Sequence, residues 1–452
     1  MSWKKIKLSE FIKPREFHYR PNAKEINNLK RIDKIDFDGN IFLSENPSKT
    51  DMILIKSGDL VISGINVYKG AIAVYEGEED ITATIHYSSY ESDKSIINIE
   101  FLKNYLKSPK FLDAIKEQVP GGIKTEIKPK HLLSLEISLP NIDEQRIICK
   151  NISSIEFFNK NLKSEIISQK YLIKQLRQTF LSEAVRGKLV KQNPNDEPAL
   201  ELLAQIKVEK DGQIINRKLK GRRLLPIIKA EEIPFEIPES WVWCRLDEIC
   251  DPLREITYGI VKLGEYVKDG VYTLRTSDVK PWYILENNIR KVSKEISNDY
   301  MRSILSGGEI IFSIRGTLGG CSIVPSKMKG YNISRELAII PLTSKVNNKF
   351  ILSVLLSPYI QNETNAKLRG IAYKGINLQE IKAFMIPLPP IEEQVRIVSK
   401  IKQLMRLCDE LEKNIIGNKE QTNLLLQAVL REALNEKTDD ITYKKNILDE
   451  LM

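Results

Sequence analysis

The sequence has few of the residues that build disulfide frameworks and metal sites. Its five cysteines (Cys149, Cys244, Cys250, Cys321 and Cys408) include no CxxC pair, and the chain has only three histidines. Scattered cysteines are typical of a protein from a reducing compartment and exclude a disulfide scaffold. The isolated histidines predict no metal site.

Long apolar runs are also missing. No run approaches the roughly 20 apolar residues of a membrane-spanning helix, and the first residues, MSWKK, lack the apolar core of a secretion signal. Charged residues make up 29% and hydrophobic residues 42% of the chain, as in folded globular proteins. We therefore expect a cytoplasmic protein, long enough at 452 residues for two to four domains.

Familiar catalytic motifs are absent. The chain has no GxxxxGK[ST] loop, no GxGxxG turn after a strand, no GxSxG and no HExxH. Acidic residues are numerous, but no spacing separates a carboxylate catalyst from a solvated surface. The net charge of +9 permits a polyanionic partner without requiring one. We predict no catalytic residue and no cofactor for this chain.

What the sequence does contain is a long internal repeat. The motif LPNIDEQ at 139–145 returns as LPPIEEQ at 388–394, an offset of 249 residues (388 − 139). The match continues without a gap to Phe180 and Val429, and GDLVIS at 58–63 matches GEIIFS at 308–313. The repeat predicts two similar halves, each a globular part followed by a long helix.

The two long helical patterns have the spacing of a coiled coil. From Ile148 to Phe180, apolar residues recur at alternating three- and four-residue intervals, interrupted by Asn159 and Gln169. The first helix is predicted to begin at Ile142, with Gly187 as its stop. The common register favours pairing of the two helices with each other. Antiparallel pairing leaves only a short gap for the connector to cross, whereas parallel pairing or pairing with another molecule stays open.

Three pairs of loops carry side chains suited to DNA contact. Arginine, lysine, asparagine and glutamine reach base edges, and basic groups bind phosphates. In any one position, an ordinary turn or a solvated charge would look the same. The candidates are Lys13, Arg15, Tyr19, Arg20, Asn66, Tyr68, Lys69 and Lys124 in the first half, and Tyr258, Lys262, Arg275, Thr276, Arg315, Thr317, Arg335, Tyr373 and Lys374 in the second. Because the scaffolds match and these side chains differ, two readers of one fold would read different sequences.

These patterns together are similar to those of a known family. The doubled LPxI[DE]EQ motif, EAVRGKLV at 183–190 and IPFEIPESW at 233–241 resemble the specificity subunit of type I restriction-modification systems. TLRTSDV at 273–279 and SIRGTLG at 313–319 resemble segments of that family's recognition domains. The resemblance covers nearly the whole chain. The first half departs more, since 65–67 reads INV where 315–317 reads RGT.

The resemblance implies an α+β protein with two similar mixed α/β target recognition domains, two long helices forming an antiparallel coiled coil, and a pseudo-two-fold internal repeat. It implies a non-catalytic subunit that reads a bipartite, asymmetric site in double-stranded DNA. Methyltransferase subunits and restriction/motor subunits would dock on it and carry the catalysis. The implied divisions are 1–140 and 239–387 for the recognition domains, 141–191 and 388–436 for the helices, 192–238 for a connector and 437–452 for a charged tail.

Three other functions are compatible with parts of this pattern. A stand-alone DNA-binding regulator of the same fold would need no methyltransferase partner. A fused nuclease or methyltransferase is opposed by the missing cofactor motifs. A pure coiled-coil scaffold leaves the two large globular parts unexplained.

Overall fold

A computed structural model gives the fold of the chain. It describes all residues except 1–2, 17, 22, 38, 47, 66–70, 107, 109–110, 112–128, 217–224, 317–318, 370–374 and 434–452. The chain divides into two compact units, one of Met1–Ile167 with Ile416–Met452 and one of Ser168–Ile415. Among the helices that the structure describes, none combines the length and the apolar character needed to cross a bilayer.

The first unit is built on three β-sheets. Its strands are β1 (Lys4–Lys7), β2 (Ile12–Pro14), β3 (His18–Tyr19), β4 (Arg31–Ile35), β5 (Ile41–Ser44), β6 (Met52–Ile55), β7 (Leu60–Ser63), β8 (Ile72–Val74), β9 (Ile81–Thr84), β10 (Tyr87–Ser92) and β11 (Glu136–Leu139). The sheets have the orders β1-β11, β2-β10-β7-β8 and β3-β6-β9-β4-β5. Strand β7 buries all four of its side chains, which is why it reads as an apolar run rather than an alternating pattern.

Helices cover one of these sheets. The described helices of this unit are α1 (Ile99–Leu106), α2 (Pro129–Leu133), the beginning of α3 (Ile142–Val185) and the end of the helix Ile391–Ala433. Helix α1 packs Phe101, Leu102 and Tyr105 into a core that also contains Leu60 and Ile152. A separate core joins the five-stranded sheet to β7 and β8 of the four-stranded sheet. Apart from Tyr75, its residues are small or β-branched: Ile32, Ile35, Ile53, Ile55, Val61, Ala71, Ala73, Ile81 and Ala83.

The second unit repeats this plan with a reduced third sheet. Its strands are β12 (Val242–Arg245), β13 (Thr257–Tyr258), β14 (Val271–Leu274), β15 (Arg290–Val292), β16 (Ile310–Ser313), β17 (Cys321–Ile323), β18 (Asn332–Ile333), β19 (Leu337–Ile340) and β20 (Met385–Leu388). The sheets have the orders β12-β20, β13-β19-β16-β17 and β15-β14-β18. In the matched two-stranded sheets, Lys4 pairs with Leu139 and Val242 pairs with Leu388.

Seven of the described helices belong wholly or partly to the second unit. They are the end of α3, α4 (Ala199–Asn216), α5 (Lys294–Asp299), α6 (Asn348–Leu356), α7 (Pro358–Arg369), α8 (Leu378–Lys382) and the beginning of α9 (Ile391–Ala433). Asn377 caps α8 in the capping box that its sequence predicts, accepting from the Glu380 N–H. The main core joins the four-stranded sheet to α6 and to Leu181 and Ile397 of the long helices.

Within the second unit, the end of α3 packs against the beginning of α9. Leu181 and Val185 share a core with Ile397 and Ile401. One turn or more away, Arg177 donates to Asp409 at 2.6 Å and to Glu412 at 3.0 Å. Because lower numbers on one helix meet higher numbers on the other, the two segments run in opposite directions.

Both ends of α3 are closed by recognisable caps. Asn141 accepts from the Glu144 N–H at 2.9 Å, and the Glu144 carboxylate accepts from the Asn141 N–H at 3.3 Å. At the other end, Gly187 has φ +69, and the Lys188 N–H donates to the Glu183 carbonyl at 2.9 Å. This left-handed glycine after the last turn is the Schellman arrangement that stops a helix.

Candidate nucleic-acid interface

In the second unit, loops that are distant in sequence meet around Arg315. This residue follows β16 directly, and its backbone N–H and that of Ile314 donate to the Glu336 carbonyl. On the other side, Arg315 forms an antiparallel bridge with Gly375, and the Ile376 N–H donates to the Ile314 carbonyl at 2.9 Å. Two separate chain segments therefore hold the arginine backbone in place.

Glycines let these loops approach each other closely. A Cβ on Gly375 would lie 2.6 Å from Arg315 Cγ and 3.0 Å from its Nε, so no larger residue fits against this side chain. Gly316 has φ +75, and a Cβ there would lie 3.7 Å from Thr276 Oγ1. The arrangement places Thr276 beside the loop that carries Arg315.

Arg335 joins the same cluster from the turn between β18 and β19. Its backbone N–H donates to the Ile260 carbonyl at 2.9 Å, and its Nε donates to the neighbouring Glu336 carboxylate at 3.3 Å. The side chains of Tyr258 and Lys262, on either side of Ile260, are exposed. These predicted contact residues therefore lie along one connected set of loops.

Arg275 is oriented by a buried carboxylate. Asp278 accepts from the Arg275 backbone N–H at 2.8 Å and from its Nε and Nη2 at 3.3 and 3.2 Å. The Ser277 hydroxyl donates to the same carboxylate at 2.9 Å. About a third of the Arg275 side chain remains exposed, so the guanidinium is fixed at the surface.

In the first unit, four of the predicted residues lie within the described part of the chain. Lys13 and Arg20 are exposed, Tyr19 is half-buried on β3, and Arg15 is discussed below. The other predicted residues Asn66, Tyr68, Lys69, Lys124, Thr317, Tyr373 and Lys374 lie outside the described residues. DNA contact by any of the predicted residues stays a prediction.

Arg15 is engaged inside its own domain. Its Nε and Nη2 donate to Asp59 at 2.6 and 2.8 Å, and this carboxylate is 2% exposed. Asp59 also accepts from the Ser89 hydroxyl and from the Lys56 N–H. The hydrogen bond to Asp59 raises the pKa of Arg15. A bidentate pair to a buried carboxylate accounts for the arginine without any partner outside the domain.

The second unit contains the counterpart of this pair. Arg254 donates to Glu309 at 3.5 Å, and Glu309 also accepts from the Ser306 N–H at 2.6 Å. Asp59 and Glu309 each follow a glycine of positive φ, Gly58 and Gly308. The offset of 250 between the acids (309 − 59) was visible in the sequence, but the arginine partner lies far from it in both halves.

The glutamine that ends the first LPxI[DE]EQ motif ties the long helix to its domain. Gln145 is buried, and its Oε1 accepts from the Asn98 N–H at 2.7 Å. Its Nε2 donates to the Pro140 carbonyl at 2.9 Å and to the Ile96 carbonyl at 3.1 Å. The side chain therefore connects the start of α3 to the residue just before α1.

The second motif makes the same connection. Gln394 accepts from the Asn347 N–H at 2.8 Å and donates to the Pro389 carbonyl at 2.9 Å. Asn347 is the N-cap of α6, accepting from the Lys349 and Phe350 N–H groups. The sequence marked this glutamine by its repetition, but its partners could not be identified from the sequence.

Glu393, which precedes Gln394, makes different contacts from Glu144, its counterpart in the first motif. Pro390 stands where the first copy has the capping Asn141, and Glu393 is fully buried. Its carboxylate accepts from the Trp241 indole N–H at 2.9 Å and from the Gln192 amide at 2.6 Å. Burial raises the pKa of Glu393. Beside it, Arg396 donates to Asp196 at 3.1 Å, so two side chains of α9 bind the segment that follows α3.

Comparison with known proteins places this geometry in context. The family model for the type I restriction modification DNA specificity domain matches residues 238–418. The type I restriction enzyme EcoBI specificity subunit of Escherichia coli is 28% identical over 330 residues, which cover 73% of this chain and 64% of the relative. The match thus spans less than two thirds of that relative's length.

Solved structures share the fold. A chain from the structure describing complex assembly and conformational transition of the type I R-M system has a TM-score of 0.61 at 17% identity, covering 96% of this chain and 97% of that one. The HsdS subunit from Thermoanaerobacter tengcongensis has a TM-score of 0.54 at 18% identity, covering 96% of each chain. The resemblance to type I specificity subunits is confirmed, and residues 238–418 match the model of the DNA specificity domain.

Proposed function

We propose that this relative of type I specificity subunits is the non-catalytic subunit that reads DNA for a restriction-modification complex. Two target recognition domains, residues 1–140 and 239–387, each read one half of a bipartite, asymmetric site. Methyltransferase subunits dock on the chain, and restriction/motor subunits join through them. Catalysis and its cofactors belong to those partners, and the complex acts on DNA in the cytoplasm.

The convergence of loops around Arg315 carries this proposal. Arg315, Thr276 and Arg335 come from three different strand ends, yet the backbone bonds and glycine contacts bring them into one cluster. An arginine flanked by a hydroxyl and close backbone suits direct contact with base edges, for which rigid donors are required. The cluster lies inside the segment that matches the DNA specificity domain.

Two readers follow from the repeated scaffold. The strands β2-β10-β7-β8 of the first unit correspond in order to β13-β19-β16-β17 of the second. The ion pair Arg15–Asp59 likewise corresponds to Arg254–Glu309. The loops on these scaffolds carry different side chains. A protein with two related but unlike readers recognises an asymmetric site in two parts.

The long helices supply a fixed distance between the readers. We assign 141–191 and 388–436 to spacer helices that pair as an antiparallel coiled coil, 192–238 to the connector and 437–452 to a charged tail. The Arg177 contacts to Asp409 and Glu412 support this assignment for one end of the pair. A rigid spacer sets the number of base pairs between the two half-sites.

The test is selection of random duplex DNA by this chain copurified with its methyltransferase. We expect the retained sequences to contain one two-part motif with a single gap length. Retention with no common motif would contradict sequence reading. A motif bound without any methyltransferase would instead favour the stand-alone regulator.

A further inference from the structure

A turn of exposed aromatic residues projects from the second unit. Residues 280–283 read KPWY, and Pro281, Trp282 and Tyr283 are all exposed, the tryptophan by 40% and the tyrosine by 56%. The turn is anchored by Val279 and Ile284, which pair as an antiparallel bridge and are buried in a core cluster. The apolar stem thus displays two rings that the fold buries only in part.

The backbone of this turn runs against local preference. Trp282 has φ +76, a conformation that suits glycine and that a bulky residue rarely adopts. Proline at the second position and positive φ at the third form the pattern of a type II turn, whose third residue is usually glycine. Such departures from local rules concentrate at functional sites.

The turn contacts the chain on either side of it, next to the loop that carries Arg315 and next to the loop that carries Arg275. The Trp282 N–H donates to the Cys321 carbonyl at 3.0 Å, and a Cβ on Gly320 would lie 2.6 Å from the Val279 carbonyl oxygen. These contacts fix the turn against the strand that follows the Arg315 loop. On its other side, the Leu285 N–H donates to the Asp278 carbonyl at 2.7 Å, and the Asp278 side chain holds Arg275.

Charge around the turn favours a polyanionic partner. The two acidic residues nearest in sequence, Asp278 and Glu286, are paired with Arg275 and Lys327. Lys280 adds a half-exposed positive charge at the base of the turn. A nucleic acid can meet this surface without facing an unbalanced carboxylate from these two positions.

We propose that the Pro281–Tyr283 turn is an aromatic DNA contact, packing Trp282 and Tyr283 against bases of the half-site read by the second domain. The inference rests on the proposed DNA-reading function and adds a contact of a different kind. Aromatic rings gain stacking and apolar contact with bases, whereas arginines and lysines provide hydrogen bonds and charge.

The decisive variant is Trp282→Gly in the chain copurified with its methyltransferase. Glycine removes the ring and also relieves the positive-φ strain, so the thermal midpoint should not fall. Affinity for the selected duplex should fall about tenfold, the loss expected for one base–aromatic contact. The slope of log affinity against log salt should stay unchanged, because no phosphate contact is lost. Lys280→Gln, in contrast, should reduce the salt slope by about 1, because it removes a charge that can contact a phosphate.

Fluorescence gives an independent readout. Trp282 is exposed, whereas Trp241 is buried and Trp3 and Trp243 are half-buried, so acrylamide should quench chiefly Trp282. The difference between wild type and Trp282→Phe isolates its signal. Adding the selected duplex should protect that signal, and Tyr171→Ala, which removes an exposed ring from α3, should leave DNA affinity unchanged.

Two results would overturn the inference while the reading function stands. One is a wild-type complex that selects a two-part motif and a Trp282→Gly complex of equal affinity. The other is protection of Trp282 by the methyltransferase subunit alone, with no further protection by DNA, which would make the turn a protein interface. If the wild-type complex selects no motif, the proposed function itself fails.

Discussion

Arg315 is the residue at which the proposed reading function is easiest to test. Its side chain lies against Gly375, and its backbone is bonded to Glu336. Replacement by alanine should weaken binding of the selected duplex by about 1–3 kcal/mol and relax base preference at one position of one half-site. Competition binding with single-position variants of the duplex measures both effects.

Arg406→Ala is the matched control for Arg315→Ala. Arg406 is a highly exposed arginine of α9 that pairs with Glu410 within its own helix. Its loss should leave base preference intact. If Arg315→Ala and Arg406→Ala behave alike in the competition assay, Arg315 is a turn residue and reads no base.

The Asp196–Arg396 pair should make stability depend on pH. The hydrogen bond from Arg396 lowers the pKa of Asp196, so this carboxylate stabilises the fold above its unfolded pKa of about 3.9. The stabilisation is lost as the pH falls through the depressed folded value. Since a third of the Arg396 side chain is exposed, Asp196→Asn should cost only about 1 kcal/mol at pH 7.

Denaturant unfolding of wild type and Asp196→Asn at a series of pH values checks this. The two curves should converge as the pH falls from about 4 through the depressed folded pKa of Asp196, below which the wild-type carboxylate is protonated in the folded state. Asp143→Asn, which breaks an exposed pair with Arg146, should show little difference at any pH. A constant gap between wild type and Asp196→Asn would assign the effect to packing.

Single charged residues show where sequence interpretation stops. Lys13 and Arg15 are near neighbours with similar chemistry, yet Lys13 is exposed and Arg15 is bound to Asp59, 44 positions away. No local pattern distinguishes them, because the partner is brought in by strand pairing. The convergence of Arg315, Thr276 and Gly375 has the same origin, so the sequence predicted the candidates but could not show that they meet.

At the scale of elements, the repeated motif predicted more than residues could. Its helix starts are confirmed at Ile142 and Ile391, and Gly187 lies just beyond the end of α3, as expected of a stop. Periodicity identified buried positions such as Ile152, Ile166 and Ile173. It also marked Leu411, which is 41% exposed, while the buried Cys408 takes the position that Asn159 has in the first copy.

The joint between each domain and its long helix depends on one glutamine. Gln394→Leu would leave the Asn347 N–H and the Pro389 carbonyl without their partner in a buried site. Each buried group left unsatisfied costs about 1–3 kcal/mol, so for two groups we expect a loss of about 2–6 kcal/mol in unfolding free energy. Gln145→Leu should destabilise by a similar amount, because its bonds to Asn98 and Pro140 are the same.

Gln403→Leu controls for the change of side chain on the same helix. Gln403 is exposed, and its amide oxygen accepts from Lys400, so its replacement should change the unfolding free energy by less than about 0.5 kcal/mol. Chemical denaturation followed by circular dichroism measures all three variants. Equal midpoints for Gln394→Leu and Gln403→Leu would show that the motif glutamine does not secure the joint.

For the whole molecule, the internal repeat is the feature that could be predicted best from the sequence. An offset near 249 residues predicted two related halves, and the matching sheet orders and Arg–acid pairs agree with it. The third sheet was not predicted from the sequence, because its strand number differs between the halves, five in β3-β6-β9-β4-β5 and three in β15-β14-β18. The segment β5-β4-β9 nevertheless has the same order as β15-β14-β18, with one antiparallel and one parallel pairing in each. Divergence is greatest where the two proposed readers would differ in what they contact.

If the paired helices set the gap between half-sites, lengthening them must widen it. One heptad added to both α3 and α9 at facing positions keeps the apolar register and extends the pair by about 10 Å, at 1.5 Å per residue. At about 3.4 Å per base pair, the selected motif should keep both half-sites and gain about 3 base pairs in its gap. Selection of random duplex DNA by the extended complex measures the change directly.

The control is a heptad added to α3 alone. It breaks the facing register, because every apolar position beyond the insertion loses its partner on α9, so this variant should lose the single gap length or fail to assemble. The half-sites should survive in the doubly extended complex, since its recognition loops are untouched. A doubly extended complex with the original gap would mean that something other than the helices, such as the docked methyltransferase subunits, fixes the spacing.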